Sequence, residues 1–370
     1  MTKVCTKSIC LFALVSLLII LSPETTVAKT PLERVIEGAK KEGTITMITP
    51  TSGMTAKYYN RLRREIREKF GVDLEIKHML GYFGKDFSKA LLEQKRGITP
   101  TWDYYVCYGP VLMQSIDAGL LERVDWEPLL LPGTNPEVLL GRPPQLDVLR
   151  GYGITMYTNH LGGLIYEPSK VASIGEVPKT FSAVGDPKWK GHVGISKVLS
   201  TWLLLSKALG KEKIISGMRK ILSHGAIIGG SRDLMGRYVM GEVSMICNIA
   251  STFTPRIKNK GMPAEWQAMD EVAIIRRLSS IIRKGAPHPN AAKLVAVYLA
   301  SPDGYKLIHE EIGIGNAFYP GNFEYEILMR NKEQGLQTRY LEATEMMTFP
   351  ITKEAKKWNK EFKDIIVGGR

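Results

Sequence analysis

The chain has 370 residues, of which 44% are hydrophobic and 24% charged; 50 Lys and Arg stand against 37 Asp and Glu, for a formal net charge of +13. This balance excludes an intrinsically disordered chain, and the length suits two ordinary domains. Four cysteines exclude a disulfide-built scaffold, while the basic charge is compatible with anionic ligands, membrane surfaces or acidic partners and selects none of them.

Lys3 and Lys7 precede an apolar run over residues 9–21, and Thr26, Val27 and Ala28 offer small residues for cleavage. The pattern is that of a secretory signal peptide cut after about Ala28, too short to span a bilayer, where about 20 residues are needed. Export makes nucleic acid an unsuitable partner. Cys107 and Cys247 remain after cleavage, each inside a predicted strand, and read as small core residues.

Residues 29–150 are expected to begin a first α/β lobe. Thr30, Pro31 and Glu33 form a capping box with proline at the first helical position, predicting a helix that Gly43 stops. A strand over 44–49, a helix over 54–70, a strand over 72–79, a helix over 85–95 and a strand over 102–107 then make a βαβαβ unit. Its ligand-facing edge is expected at 49–52 and at Tyr108. Five prolines between 122 and 150 predict irregular covering structure that leads to a crossing between lobes.

Residues 151–268 are expected to form the second lobe. It starts with a strand over 153–159 and includes a strand over 193–196 and a helix from Thr201. The unit from Gly225 to Thr252 follows: a strand over 226–228, a Gly229-Gly230 turn, a helix with Ser231 at its N-cap, and a strand over 243–249. Such a unit implies a parallel sheet with the helix N-terminus aimed at a ligand position, where Arg232 adds positive charge. The same Ser231 would serve equally as an ordinary cap, with Asp233 answering the helix dipole. A second crossing is expected near 266–272, a return to the first lobe over 269–324, and a charged helical tail over 325–370 packed outside a lobe.

Two crossings place a cleft between the lobes. The hydroxyl, amide and guanidinium groups at its predicted edges are Thr49, Thr51, Ser52, Tyr108, Tyr157, Asn159, Ser200, Thr201, Ser231, Arg232, Asn248 and Ser251. Donors of this kind at helix N-termini suit a small oxyanion. The six histidines are scattered without H-E-x-x-H spacing, and no G-x-S-x-G occurs, so the sequence favours binding over catalysis.

Several segments resemble one family. Residues 176–195, EVPKTFSAVGDPKWKGHVGI, are similar to its P-x-T-W-x-D-L-x-D-P-x-W-K-G-K-I-x-I segment. Residues 286–301, APHPNAAKLVAVYLAS, followed by Pro302-Asp303-Gly304, are similar to its H-P-N-A-A-K-L-F stretch; Gly241-Glu242-Val243 and residues 315–322, GNAFYPGN, add to the likeness. The family is that of the bacterial extracellular solute-binding proteins of ABC importers, in the branch that includes ferric-iron, thiamine and phosphonate binders. The resemblance implies a type II periplasmic-binding-protein fold: two α/β lobes, two hinge crossings and a ligand cleft. It also implies a periplasmic monomer without cofactor or catalysis, which hands a small-molecule solute to an ABC permease of the inner membrane. Ferric-iron members present an adjacent tyrosine pair after the strand that follows Gly-Glu. Here residues 248–252 are Asn, Ile, Ala, Ser and Thr, so a small anionic solute is favoured. Ferric iron, with Tyr157 as its one candidate ligand and no other metal-binding residue, is the alternative. A sensor that engages a membrane receptor is the third reading. Tyr58-Tyr59 and Tyr104-Tyr105 are expected to pack, because neighbours on a helix or strand diverge.

Overall fold

The computed structural model describes residues 28–50 and 53–368. The expected leader up to Val27, together with Thr51 and Ser52, lies outside the described residues. The strands are β1 (Thr44–Thr49), β2 (Glu75–Leu80), β3 (Tyr104–Cys107), β4 (Ile154–Leu161), β5 (Gly163–Tyr166), β6 (Val193–Ser196), β7 (Ile227–Gly229), β8 (Met245–Ile249), β9 (Glu265–Gln267), β10 (Val272–Ile282) and β11 (Gln337–Tyr340). They form two sheets, β11-β10-β3-β1-β2 with β4 also on β10, and β7-β6-β8-β5-β9.

The first sheet starts from the predicted βαβαβ unit. Thr30 Oγ1 accepts the Glu33 N–H and Glu33 Oε2 accepts the Thr30 N–H, closing the capping box, and Gly43 ends the helix at φ 63°. β1 runs parallel to β2 and β3, with the helices Ala56–Phe70 and Phe83–Lys95 in the connections. β10 then joins antiparallel to β3. The helix Pro289–Ala300 fills the space beneath, buried along its length from Ala291 to Ala300 apart from Lys293. The proline-rich stretch folds as three short 3-10 turns whose Trp126, Leu129, Leu131 and Val138 enter the same core.

In the second sheet β6 lies parallel to both β7 and β8. The strand-helix-strand unit therefore spans β6, with its two strands on either side. Its helix is Ser231–Val239, capped by Gly230 without a side-chain hydrogen bond. Ser231 is thus the first helical residue and not the N-cap: the extended backbone of Gly230 (φ −73°, ψ 156°) already makes the turn into the helix.

The first crossing falls later than expected. Ile154–Leu161 is buried throughout and pairs with β10, so it belongs to the first sheet. The chain changes sheet at Gly162, whose φ of 74° is a backbone setting that glycine adopts at little cost. β5, directly after it, pairs with β8 and β9. The second crossing, between β9 and β10, uses Asp270 and Glu271 at φ 55° and 66°, within the expected window. The tail differs from a helix laid on one lobe. β11 extends along β10 in the first sheet, whereas the last helix, Lys353–Gly368, buries Ala355, Phe362 and Ile366 in the core of the second lobe. Cys107 and Cys247 are buried free thiols in different sheets.

Candidate functional site

The strand β10 reads VAIIRRLSSII, an apolar run broken by two arginines. Successive side chains on a strand point to opposite faces, and the two arginines meet different surroundings. Arg277 is 1% exposed and stacks on Phe318 and Tyr340, with its ring-to-guanidinium distances at 4.5 and 5.2 Å. It donates to the Glu137 carbonyl, and its backbone N–H to Glu342 Oε1 at 3.2 Å. Arg276 faces the cleft: its Nε donates to Asn159 Oδ1 at 3.1 Å, and its guanidinium lies 5.2 Å over the Tyr108 ring.

Burial raises the Glu342 carboxyl from 4.5 to about 7, against the pull of Arg277. A carboxyl whose folded pKa is raised contributes its stability in full below pH 4.5 and loses it as pH rises through about 7. We expect this group to lower stability by about 3 kcal/mol between pH 4.5 and 8, at 1.36 kcal/mol per pKa unit. In Glu342→Gln that component of the pH dependence disappears. Denaturant titrations at several pH values on both proteins check this; parallel curves would refute it.

Arg276 is one wall of a pocket of about 170 Å³ between the lobes. The first lobe supplies Tyr157, Asn159, Arg276 and Leu278 from its strands, with Pro50 and Ile314; the second supplies Arg232, Thr252, Phe253 and Arg256. Arg232 sits in the first turn of the helix Ser231–Val239 and Arg256 in the short helix Phe253–Lys258. Among the described residues none of these three arginines has a carboxylate within 4.0 Å, whereas Arg237 and Arg277 both do. Burial holds Arg256 below the usual arginine range and the like charge of Arg232 adds to this, with Tyr157 opposing. Burial lowers Arg276 as well, opposed by Tyr108, Tyr157, Glu342 and Glu324. The Tyr157 phenol is pushed up to about 12 by burial despite Arg276 and Arg256. The pocket is therefore a cationic floor with a neutral phenol beside it. It adjoins an outer chamber of about 710 Å³ that shares Arg232 and Arg256.

Tyr157, Asn159 and Arg232, expected from the sequence, line this pocket, and Tyr108 lies beneath Arg276. Other expected residues do not line it. Thr49 is 2% exposed, and its Oγ1 is bonded to the Tyr59 hydroxyl at 2.7 Å. Ser251 is buried, accepting the His160 N–H and donating to Glu324 Oε1 at 2.6 Å. Asn248 is buried at a bulge with φ 61°, opposite the register shift in β5. Ser200 and Thr201 fall inside the first turn of the helix Leu199–Leu209 instead of capping it. Arg256, Arg276, Thr252 and Phe253 were not among the expected residues; the basic pair within an apolar strand was the available signal for Arg276. The tyrosine pairs are buried packing residues. Among the described residues, no group of three or more His, Cys, Asp or Glu could hold a metal ion, and no helix is long and apolar enough to cross a membrane.

No protein-family model matches the sequence, and no curated protein does. Solved structures do match over nearly the whole chain. Iron-bound HitA from Pseudomonas aeruginosa superposes with a TM-score of 0.62 at 20% identity, over 86% of this chain and 99% of its own. A substrate-binding protein of an ABC transporter from Agrobacterium tumefaciens gives 0.66 at 11% identity, over 89% and 96%. The periplasmic binding protein AfuA from Actinobacillus pleuropneumoniae, with fructose-6-phosphate bound, gives 0.60 at 16% identity, over 88% and 99%. The chain has the two-lobe α/β fold of periplasmic binding proteins.

Proposed function

We propose that this chain is the exported solute-binding component of an ABC importer, capturing a small anionic solute between its lobes and delivering it to a membrane permease. The observation that carries this reading is the convergence of Arg232, Arg256 and Arg276, without carboxylate partners among the described residues, on one pocket between the lobes. An oxyanion there would be held by Arg276 and Asn159 of one lobe and by Arg232, Arg256 and Thr252 of the other. Contacts to both lobes favour a closed form over an open one, and a permease can distinguish the two. The leader and the fold's known hosts support export and an importer partner. A neutral Tyr157 and the lack of a second tyrosine on this pocket favour an anion over ferric iron.

A thermal-shift screen followed by calorimetry tests this, using phosphate esters, phosphonates, carboxylates, thiamine, ferric citrate and ferric nitrilotriacetate. An iron-free anion is expected to raise the unfolding midpoint, by the equivalent of about 2.7 kcal/mol at 100 times its dissociation constant. A shift with the ferric complexes alone, with a visible charge-transfer band, would replace the anion by iron. No shift with any of these would remove the arginine pocket from the binding site.

A further inference from the structure

We infer that the solute is an organic phosphate monoester with a neutral body, its phosphate in the arginine pocket and its body in the outer chamber. The inference rests on the anionic-solute reading above and narrows it. Binding sites for organic ligands run from roughly 300 to 1,000 Å³. The arginine pocket, at about 170 Å³, is too small to be such a site by itself, whereas the chamber beside it holds about 710 Å³. Arg232 and Arg256 line both, so a group bound to them in the inner pocket points its substituent outward into the chamber.

The number of unpaired cations selects the head group. One carboxylate is satisfied by a single bidentate arginine, leaving two guanidiniums of this pocket uncompensated. A phosphate monoester carries about −1.5 to −2 charge and three strong acceptor oxygens, which matches three guanidiniums far better.

The chamber selects the body. Its carboxylates are already engaged: Glu311 with Lys57 and Arg61, and Glu310 with Arg61. Lys258 is likewise paired with Glu265. Apart from Arg232 and Arg256, which hold the head group, an open polar atom of this lining is His309 Nδ1, buried without a hydrogen-bond partner among the described residues, and it suits a hydroxyl of the body. Met235, Pro255, Ile312 and Phe323 offer apolar surface, and Asn259 a side-chain amide. That lining fits a neutral, amphipathic body of about the size of glycerol or a hexose.

Calorimetry on the mature protein tests this with inorganic phosphate, glycerol 3-phosphate, a hexose 6-phosphate, the free hexose and a dicarboxylate. A phosphate ester is expected to bind at least tenfold more tightly than inorganic phosphate, and the free hexose not at all. Met235→Trp, which fills the chamber, is expected to cost the ester at least tenfold and to leave inorganic phosphate unchanged; Asn259→Ala probes the same wall with little risk to folding. Equal affinity for inorganic phosphate and every ester would overturn the two-part ligand, as would an ester affinity indifferent to both substitutions. Preference for the dicarboxylate would overturn the phosphate head while leaving the anionic-solute reading intact. If no anion binds, that underlying reading fails and this one with it.

Discussion

Arg256→Met is expected to weaken binding of the anionic solute at least 100-fold and, in the same protein, to raise the unfolding midpoint of the ligand-free form. Hydrogen bonds to charged groups contribute about 1.5–3 kcal/mol, and every 1.4 kcal/mol is tenfold in affinity. Loss of a two-pronged guanidinium contact therefore supplies two decades. The stabilisation comes from the empty site. Arg256 is half-buried, lacks a carboxylate partner among the described residues and is repelled by Arg232. Methionine fills similar space without the charge. Arg276→Met should lose comparable affinity without the gain in stability, because Asn159, 3% exposed, loses the donor it accepts from. Calorimetry with the best ligand and thermal unfolding without it decide the matter. An Arg256→Met protein with unchanged affinity, or one less stable than the wild type when empty, would count against a site built around uncompensated charge.

Glu324→Ala is expected to destabilise the protein by about 1–3 kcal/mol, the cost of leaving buried hydrogen-bonding groups unsatisfied. Glu324 is 1% exposed, and its carboxylate accepts from Ser251 Oγ at 2.6 Å and from the His160 N–H at 3.1 Å; its Oε2 also lies 2.7 Å from His160 Nδ1. These partners come from the end of β4 and from the segment after β8, with Trp266 of β9 packed on the His160 ring at 5.5 Å. Removal of the carboxylate strands several buried polar atoms where the chain changes sheets. Glu324→Gln, which keeps one acceptor and adds a donor, should cost distinctly less. Denaturant midpoints of the two variants provide the test; a loss below 1 kcal/mol in Glu324→Ala would show that the network contributes little.

The sequence was most informative where one local interaction decides the outcome. The Thr30-Glu33 capping box, the glycine helix stops and the order of elements through β3 each follow from neighbours in the chain. The second crossing was legible because Asp270 and Glu271 stand between β9 and β10. The first was not: the proline-rich stretch over 122–150 offered a connection before the strand at 153–159, and only pairing with β10 on one side of Gly162 and with β8 on the other puts the change of sheet later. The residues of the proposed binding pocket divide along similar lines. Tyr157, Asn159 and Arg232 follow from strand and helix ends facing a cleft. Thr49 and Ser251 have the same chemistry and comparable positions, yet their hydroxyls are bonded to Tyr59 and Glu324, partners that only the folded chain brings near. Arg256 reaches the pocket from a six-residue helix whose placement depends on the whole second lobe.

The C-terminal segment has a consequence for how the molecule comes apart. Because β11 is hydrogen-bonded to β10 and the final helix is embedded against Leu199–Leu209 and Lys211–Ser223, neither lobe owns this piece of chain. Loss of the second lobe would release the helix and pull on the edge of the first sheet, while loss of the first would leave the helix tethered to an unfolded strand. A segment anchored in both lobes ties their unfolding together, so the two sheets are expected to melt as one cooperative unit.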